Sequence, residues 1–378
     1  MVASGIAYIV PLLIALMGAG LYDFGIYRNG KHFLWSLLCG YLILVLGLRY
    51  EVGGDTLNYM GWFEWAKDLK DWSPFNMSQV YEPGFTLLAA LAKSCGDEFY
   101  YLQFLHAGIL NICIFYFIST NTRYWFSSLL IAFLTYYIYF STEVLREAIA
   151  VMIFVLNFKL FMRKEWGKYY IMVIICILFH YSASFLLFLP FFSRLRFSSK
   201  FIWFVMFFGL MCFGLRSMFF AAMEHIPLIG DKAIAYAGHS FVGYFWAGLR
   251  VFQFSIIPVL LLKFAHNILH QRPKYEITYL FIIMSGIGVI FLPIIFQRFT
   301  NYFYPLYALS ITDILCNSLR SRKFNIKFSG VLLSLIITFG YGTYFIYLDA
   351  YQMWLPYSSI MNPIHYQFRN KFANGGNG

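Results

Sequence analysis

Several apolar segments of this sequence end in charged or polar side chains that could bind an anion or move a proton. Inserting a charged side chain near the core of a bilayer costs about 2.5–3.5 kcal/mol on insertion scales. Each such side chain therefore needs a structural or functional reason. Arginine binds phosphate and carboxylate groups as a fork, whereas carboxylates and histidine exchange protons. The side chains that stand at such segment ends are Arg49, Asp55, Glu143, Arg146, His180 and Arg298.

The second apolar segment ends in the run Arg49-Tyr-Glu-Val-Gly-Gly-Asp55-Thr56. Gly53 and Gly54 allow a backbone with positive φ and the close approach of a ligand. Arg49 could then bind a phosphate, and Asp55 could act as a base or as the ion-pair partner of Arg49. The alternative is an arginine at the membrane boundary that pairs with Asp55 and serves topology alone.

Glu143 and Arg146 open another segment and are three residues apart, so they lie on one face of a helix. One interpretation is an ion pair within that helix. In the other, Arg146 faces a cavity and holds an anionic group of the substrate. Glu143 then belongs to the same binding site, and the N-terminus of the helix adds a favourable partial charge.

His180 lies in the middle of the apolar stretch 168–192, where we expect a break between two short helices. Its imidazole could act as a general base, hydrogen-bond a diphosphate, or merely cap a helix. Arg298 follows Pro293 between two apolar segments and is either a site residue or an arginine of an external loop. Tyr302 begins an aromatic group that suits either sugar stacking or anchoring at the membrane interface.

Several well-known catalytic motifs are absent from the sequence. It contains no Walker A loop, no HExxH, no GxSxG and no DxD pair with a third carboxylate nearby. The six cysteines form no CxxC pair, which argues against a zinc site or a disulfide framework. These observations disfavour ATP-driven transport, hydrolysis by zinc or serine, and metal-dependent transfer. We therefore predict neither a metal nor a cofactor.

The elements that must position these groups are membrane helices. The chain of 378 residues is 61% hydrophobic and 12% charged, against about 25% charged residues in soluble domains. The predicted fold is an all-α, polytopic transmembrane bundle of about 12 spans, some of them short or broken. We expect one membrane domain over residues 1–365 and a short disordered tail over 366–378, which ends in Asn and Gly.

Apolar runs of about 20 residues mark candidate spans. They lie near 4–22, 32–48, 98–119, 124–141, 144–162, 201–222, 244–264, 276–296, 300–317 and 328–348. The run 83–95 is shorter and predicts a half-helix or re-entrant element. The N-terminus lacks the features of a cleaved signal peptide, so the first segment is expected to stay as a helix.

The net charge of +11 is spread over short loops between apolar segments and forms no basic stripe, so we predict no nucleic-acid binding. The Lys and Arg bias places these loops in the cytoplasm. The stretches 50–82 and 223–243 and both termini are then external. With this orientation, all of the charged groups at segment ends named above meet at the external face.

Short motifs recur in a characteristic order along the chain. They are Arg49-Tyr-Glu-Val-Gly-Gly-Asp55 continuing to Tyr59, Tyr81-Glu-Pro-Gly-Phe85, Leu145-Arg-Glu-Ala-Ile-Ala150, Phe179-His-Tyr-Ser-Ala183 and Trp354-Leu-Pro-Tyr357. Together with the membrane pattern, they resemble the EpsG family, the Wzy-like polymerases of exopolysaccharide, capsule and O-antigen synthesis. Glu147 departs from the pattern, since Gln is expected there more often. That change affects a polar contact but not the reaction class.

The resemblance implies a multi-pass glycosyltransferase of the bacterial inner (cytoplasmic) membrane that needs no metal. Its substrate would be an undecaprenyl-diphosphate-linked oligosaccharide, polymerised at the external face of the bilayer. The flippase and the chain-length regulator of the same pathway would be its partners. External arginines would neutralise the leaving diphosphate, and Asp55, Glu82 or His180 would take the proton of the acceptor hydroxyl.

Two other classes compete with this interpretation. A lipid-linked oligosaccharide flippase or another transporter would favour charges at the bilayer midplane and a two-fold repeat, and the sequence has neither. Another membrane transferase or ligase, such as an acyltransferase with a catalytic histidine, lacks a second supporting feature.

Overall fold

The computed structural model describes residues 2–74, 81–192, 198–215, 277–288, 293–320 and 353–370, with a few single positions between 256 and 266. Over these residues the chain is mostly helical and has no β-strand, only isolated bridges such as the one between Arg49 and Ser359. The all-α fold class is therefore confirmed. The chain forms two compact units, residues 1–190 with 340–378, and residues 191–339.

The described helices up to residue 192 are between 4 and 23 residues long, and several follow one another with a single residue between them. They are α1 (Val2–Gly18, extended by a π-helical turn Ala19–Phe24), α2 (Lys31–Gly47), α3 (Thr56–Glu64), α4 (Pro83–Lys93), α5 (Phe99–Asn121), α6 (Trp125–Thr135), α7 (Tyr137–Thr142), α8 (Leu145–Leu156), α9 (Phe158–Met162), α10 (Trp166–Phe179), a 3-10 helix (Tyr181–Phe188) and α11 (Leu189–Phe192).

The second unit contains α12 (Ser199–Gly214), α13 (Thr278–Ile283, extended by a π-helical turn Met284–Gly288), α14 (Pro293–Asn301) and α15 (Tyr304–Arg320) among its described residues. Phe281 stacks on Tyr307 with ring centroids 4.4 Å apart, which joins α13 to α15. The predicted external loop 223–243 and the predicted span 328–348 lie outside the described residues, as does most of the predicted span 244–264.

By length and composition, two of the described helices could cross a membrane, Gly5–Phe24 and Phe99–Asn121. Four further apolar helices are shorter: Lys31–Gly47, Trp125–Thr135, Trp166–Phe179 and Tyr181–Phe192. The predicted spans 124–141 and 144–162 are each divided, at Tyr136 and at Asn157, and neither half reaches the about 20 residues that a span needs. The predicted count of about 12 spans is therefore not confirmed, and the orientation stays a prediction.

Helix α5 organises the first unit, because it packs against α2, α4 and α8. A buried apolar cluster joins α3, α4, α5 and α8 through Tyr59, Phe63, Phe85, Leu88, Ala89, Ala92, Phe99, Leu102, Leu145 and Ile149. These contacts bring the N-termini of α4 and α8 together, although Pro83 and Leu145 are 62 positions apart in the sequence. The polar groups at those two helix ends form the candidate site.

The C-terminal segment 353–370, here called the strap, returns to the end of α2 and the loop that follows it. The N–H of Tyr50 donates to the carbonyl of Ser358 at 2.8 Å, and the N–H of Ile360 donates to that of Leu48 at 2.9 Å. The hydroxyl of Tyr357 donates to the carbonyl of Val45 at 2.8 Å. Backbone pairing and side-chain contacts thus hold the chain end against α2.

Ordered contacts continue into the range 366–378 that was predicted as a disordered tail. Gln367–Arg369 form a short 3-10 helix. Arg369 is buried, and its guanidinium donates to the carbonyl of Pro356 at 2.7 Å and lies over the ring of Tyr366. These contacts bind Arg369 to the strap. Residues 371–378 lie outside the described residues.

Candidate functional site

The side chain of Arg49 is buried in the first unit, where it hydrogen-bonds the end of α2 and the loop that follows it, residues 48–55. Its Nε donates to the carbonyl of Val52 at 3.0 Å and its Nη1 to that of Leu46 at 2.5 Å. The side chain has no exposed surface, and its Nη2 has no hydrogen-bond partner within the described part of the chain. In this arrangement Arg49 caps the last turn of α2 and shapes the loop. A phosphate could reach it only if the loop opened.

Gly53 and Gly54 lie where the loop meets the junction of α7 and α8, and Gly53 is required there by its backbone conformation. Gly53 has a φ of +118°, and a Cβ there would lie 2.6 Å from the carbonyl oxygen of Thr142. A Cβ on Gly54 would lie 2.5 Å from Met353 Sδ and 2.8 Å from Glu143 Oε2. The two glycines therefore allow a close approach of three chain segments, and the ligand approach predicted from the sequence stays a prediction.

Glu143 sits at the centre of this junction. Its carboxylate accepts the N–H of Gly54 at 2.9 Å, the N–H of Asp55 at 3.2 Å and the indole N–H of Trp354 at 2.7 Å. Burial raises the pKa of this carboxyl, while the hydrogen bonds from Gly54 and Trp354 act in the opposite direction. With both oxygens engaged by the protein, Glu143 orients the loop and does not form the ion pair with Arg146 that was considered from the sequence.

Arg146, in the first turn of α8, pairs instead with Glu82. Its Nη1 lies 2.5 Å from Glu82 Oε2, its Nε lies 3.5 Å from the hydroxyl of Tyr59, and its guanidinium stacks 4.1 Å over the ring of Tyr81. The arginine side chain is 22% exposed, whereas that of Glu82 is 3% exposed. Within the described residues, the Nη2 of Arg146 makes no hydrogen bond. A fixed guanidinium with an unused donor is suited to an anionic ligand.

The local sequence explains how Glu82 reaches this position. Pro83 occupies the first position of α4, where its missing N–H has no cost and its fixed φ suits the helix. Gly84 lets α4 approach the end of α10, since a Cβ there would lie 2.8 Å from the carbonyl oxygen of Leu178. Glu82, directly before the helix, is therefore held beside the break that follows α10.

That break falls at His180, as the sequence predicted. Arg146, Glu82, Tyr59 and Tyr81 are here called the Arg146 cluster. The second oxygen of Glu82 accepts the N–H of Tyr181 at 3.1 Å, which connects the break to this cluster. The Nδ1 of His180 accepts the N–H of Ser182 at 3.1 Å and so caps the 3-10 helix. A neutral ring with this bond carries its proton on Nε2 and has no lone pair left for a substrate proton. The geometry is that of a cap.

We therefore expect His180→Asn to keep the activity of the protein within about threefold of the parent, because the amide oxygen can replace Nδ1 as the cap. His180→Ala should lower the free energy of unfolding by about 1 kcal/mol, since it removes the acceptor. Initial rates in liposomes and thermal unfolding of both variants check this. A loss of about 10²–10⁴-fold in the Asn variant, with normal insertion, would instead assign His180 as a general base.

Asp55 is the third residue that the sequence analysis named for proton transfer, beside Glu82 and His180. It is half-buried, directly before α3, and its N–H is held by Glu143. Its charge acts on the hydroxyl groups of Tyr59 and Tyr81, the two aromatic residues that surround Arg146. The loop after α2 therefore places a carboxylate in the same neighbourhood as the candidate anion site.

Arg298 and Tyr302 lie in the second unit. Arg298 is in the last turns of α14 and is partly exposed. Tyr302 follows that helix and is fully buried, so a sugar could stack on it only after its surroundings opened. Arg298 belongs to a different compact unit from Arg49 and Arg146, and the convergence of the three arginines stays a prediction.

Comparison with known families agrees with this arrangement of motifs. The model of the EpsG family matches residues 32–359. The chain belongs to the EpsG family. Neither the search of curated proteins nor that of solved structures found a match. All of the motifs that form the Arg146 cluster and the Glu143 junction lie inside the region matched by the EpsG family.

The structure adds site residues that the sequence did not single out. Tyr59 and Tyr81 surround Arg146, and Trp354 binds Glu143. All three occur within the EpsG family motifs quoted above, and those motifs could have identified them from the sequence. Among the described residues, no group of three or more His, Cys, Asp or Glu side chains could hold a metal ion.

Proposed function

We propose that this EpsG family protein is a membrane glycosyltransferase that polymerises undecaprenyl-diphosphate-linked oligosaccharide repeat units into a surface polysaccharide. The reaction would take place at the external face of the inner membrane. The growing glycan would leave its lipid diphosphate and join the terminal sugar of a new repeat unit. Family membership and the polar site in a largely apolar chain support this proposal.

The observation that carries the proposal is the arrangement around Arg146. A developing diphosphate needs a cation that is already in place, because reorienting a charge during the reaction adds to the barrier. Glu82, Tyr59 and Tyr81 fix the guanidinium on three sides, and part of it stays exposed. The N-terminus of α8, which carries Arg146, adds partial positive charge in the same direction.

In this proposal, Asp55 takes the proton of the acceptor hydroxyl. Both oxygens of Glu82 are engaged, one by Arg146 and one by the N–H of Tyr181. His180 uses its Nδ1 as a cap. Asp55 is half-buried and adjoins the Arg146 cluster, so it is the carboxylate that we assign to the acceptor.

The first unit also offers space for hydrocarbon. A cavity of about 690 Å³ lies between the ends of α2, α4 and α5 and the strap. Apolar and aromatic side chains form most of its wall: Leu48, Leu91, Ala92, Tyr100, Tyr101, Phe104, Leu105 and Ile360, with Glu98 at its edge. Such a wall is compatible with a lipid-linked substrate that enters sideways from the bilayer.

Deletion of the gene in its own host tests the proposed function. We expect long polysaccharide to disappear while single repeat units remain on the lipid carrier and are accessible from outside the cell. Purified protein in liposomes should then convert lipid-linked repeat units into a ladder of longer products. Units that stay trapped on the cytoplasmic side in the deletion strain would identify a flippase instead.

A further inference from the structure

The strap is attached to the candidate site by both backbone and side-chain contacts. The N–H of Gly53 donates to the carbonyl of Met353 at 2.9 Å, and the indole N–H of Trp354 donates to Glu143 Oε1 at 2.7 Å. Trp354 and Glu143 are 211 residues apart in the sequence. The chain end therefore completes the environment of a carboxylate that already holds the loop after α2.

We propose that Trp354 is a positioning residue of the candidate site and acts through Glu143 on Asp55. This inference rests on the proposed function, in which Asp55 receives the proton of the acceptor. The indole fixes one oxygen of Glu143, and the two oxygens of Glu143 fix the N–H groups of Gly54 and Asp55.

Trp354 can anchor Glu143 because the hydrogen-bond donors to Glu143 come from different segments of the chain. A buried carboxylate can rotate about its side-chain bonds unless its hydrogen bonds fix both oxygens. Two of the donors, Gly54 and Asp55, belong to the loop that must be positioned, so they cannot serve as an independent anchor. The hydroxyl of Thr142 lies 3.4 Å from Glu143 Oε1, but it makes a shorter bond, of 2.8 Å, to the carbonyl of Ile138. Trp354 comes from a different segment, and it is tied to α2 through Tyr357 and Ile360. Trp354 therefore anchors Glu143, and through Glu143 the loop, to α2.

The same contact bears on Arg146. Glu143 lies between α7 and α8, and Arg146 follows it by three residues. Holding Glu143 therefore also fixes the start of α8, from which the guanidinium projects toward Glu82. The strap would thus set the distance between the proposed base and the proposed diphosphate site.

The test compares Trp354→Phe with Trp65→Phe in the full-length protein in nanodiscs. Phe keeps an aromatic ring but lacks the N–H donor, whereas Trp65 is 84% exposed and lies outside the site. Hydrogen–deuterium exchange at the amides of Gly54 and Asp55 reports on the loop directly. Polymerisation rates with the undecaprenyl-diphosphate-linked repeat unit give kcat and KM.

We expect Trp354→Phe to speed exchange at both amides by about tenfold or more and to lower kcat by about 10- to 100-fold, with KM within about twofold. In the background of Glu143→Gln, adding Trp354→Phe should change kcat by less than about threefold, because the two residues act as one unit. Trp65→Phe should leave exchange and rate unchanged.

Unchanged amide exchange together with unchanged kcat in Trp354→Phe would overturn the inference. Equal fractional effects of Trp354→Phe in the parent and the Glu143→Gln background would also overturn it, since they would indicate a general structural role. If the parent protein forms no polymer at all, the proposed function fails. The exchange measurement still decides in that case whether Trp354 holds the loop through Glu143.

Discussion

Arg146→Lys should insert normally and yet lose about 10²–10³-fold in polymerisation rate, the range for removing one preorganised donor from a developing charge. Lysine keeps the positive charge and can still pair with Glu82, so the buried carboxylate retains a counter-ion. Its ammonium cannot stack on Tyr81 while it contacts Tyr59 and an oxygen of the diphosphate, as the planar guanidinium can. Initial rates with the lipid-linked repeat unit measure the loss.

Arg163→Lys provides the matched control, because Arg163 is a solvent-exposed arginine on the loop after α9, with 69% of its side chain exposed. We expect its rate and stability to stay at the level of the parent, since exposed pairs contribute about 0–1 kcal/mol. If Arg146→Lys keeps its rate within about threefold of the parent, a point charge is sufficient. Arg146 would then serve only as the counter-ion of Glu82.

Asp55→Asn should lower kcat by about 10²–10⁴-fold, the range typical of general acid–base assistance. The amide has nearly the same shape and leaves the N–H of residue 55 on Glu143, so the loop should keep its conformation. It cannot accept a proton from a sugar hydroxyl at neutral pH. We expect little change in the affinity for the lipid-linked substrate, because the arginine that we assign to the diphosphate is untouched.

Asp71→Asn is the control for this second prediction, since Asp71 is exposed in the stretch after α3 and lies outside the candidate site. Burst kinetics and amide exchange at Gly54 separate lost chemistry from a displaced loop. If the Asn variant retains polymerisation within about threefold while amide exchange is unchanged, Asp55 is not the base. Glu82 would then have to release one of its present partners to take that role.

Local sequence signals predicted the helical class of this protein and some of its helix boundaries, but not its number of spans. The apolar composition and the runs of about 20 apolar residues indicated an all-α chain, and the described residues are mostly helical. The break at His180 follows from a polar group in the middle of a 25-residue apolar stretch. The start of α4 follows from Pro83, which can occupy the first turn of a helix but not its interior. The order of the short motifs also pointed to the EpsG family, which matches residues 32–359.

Only the tertiary structure decided which side chains meet. Spacing within one helix suggested that Glu143 pairs with Arg146, yet Arg146 pairs with Glu82, 64 residues away, and Glu143 accepts from Trp354, 211 residues away. Arg49 was a candidate for phosphate binding, and the fold directs its guanidinium into the carbonyl groups at the end of α2. Local spacing fixes which residues share a helix face, whereas ion pairs depend on how helices pack against one another. The sequence therefore determined the helical class and the family. Packing around α5 determined how the helices are divided and which charged side chains meet.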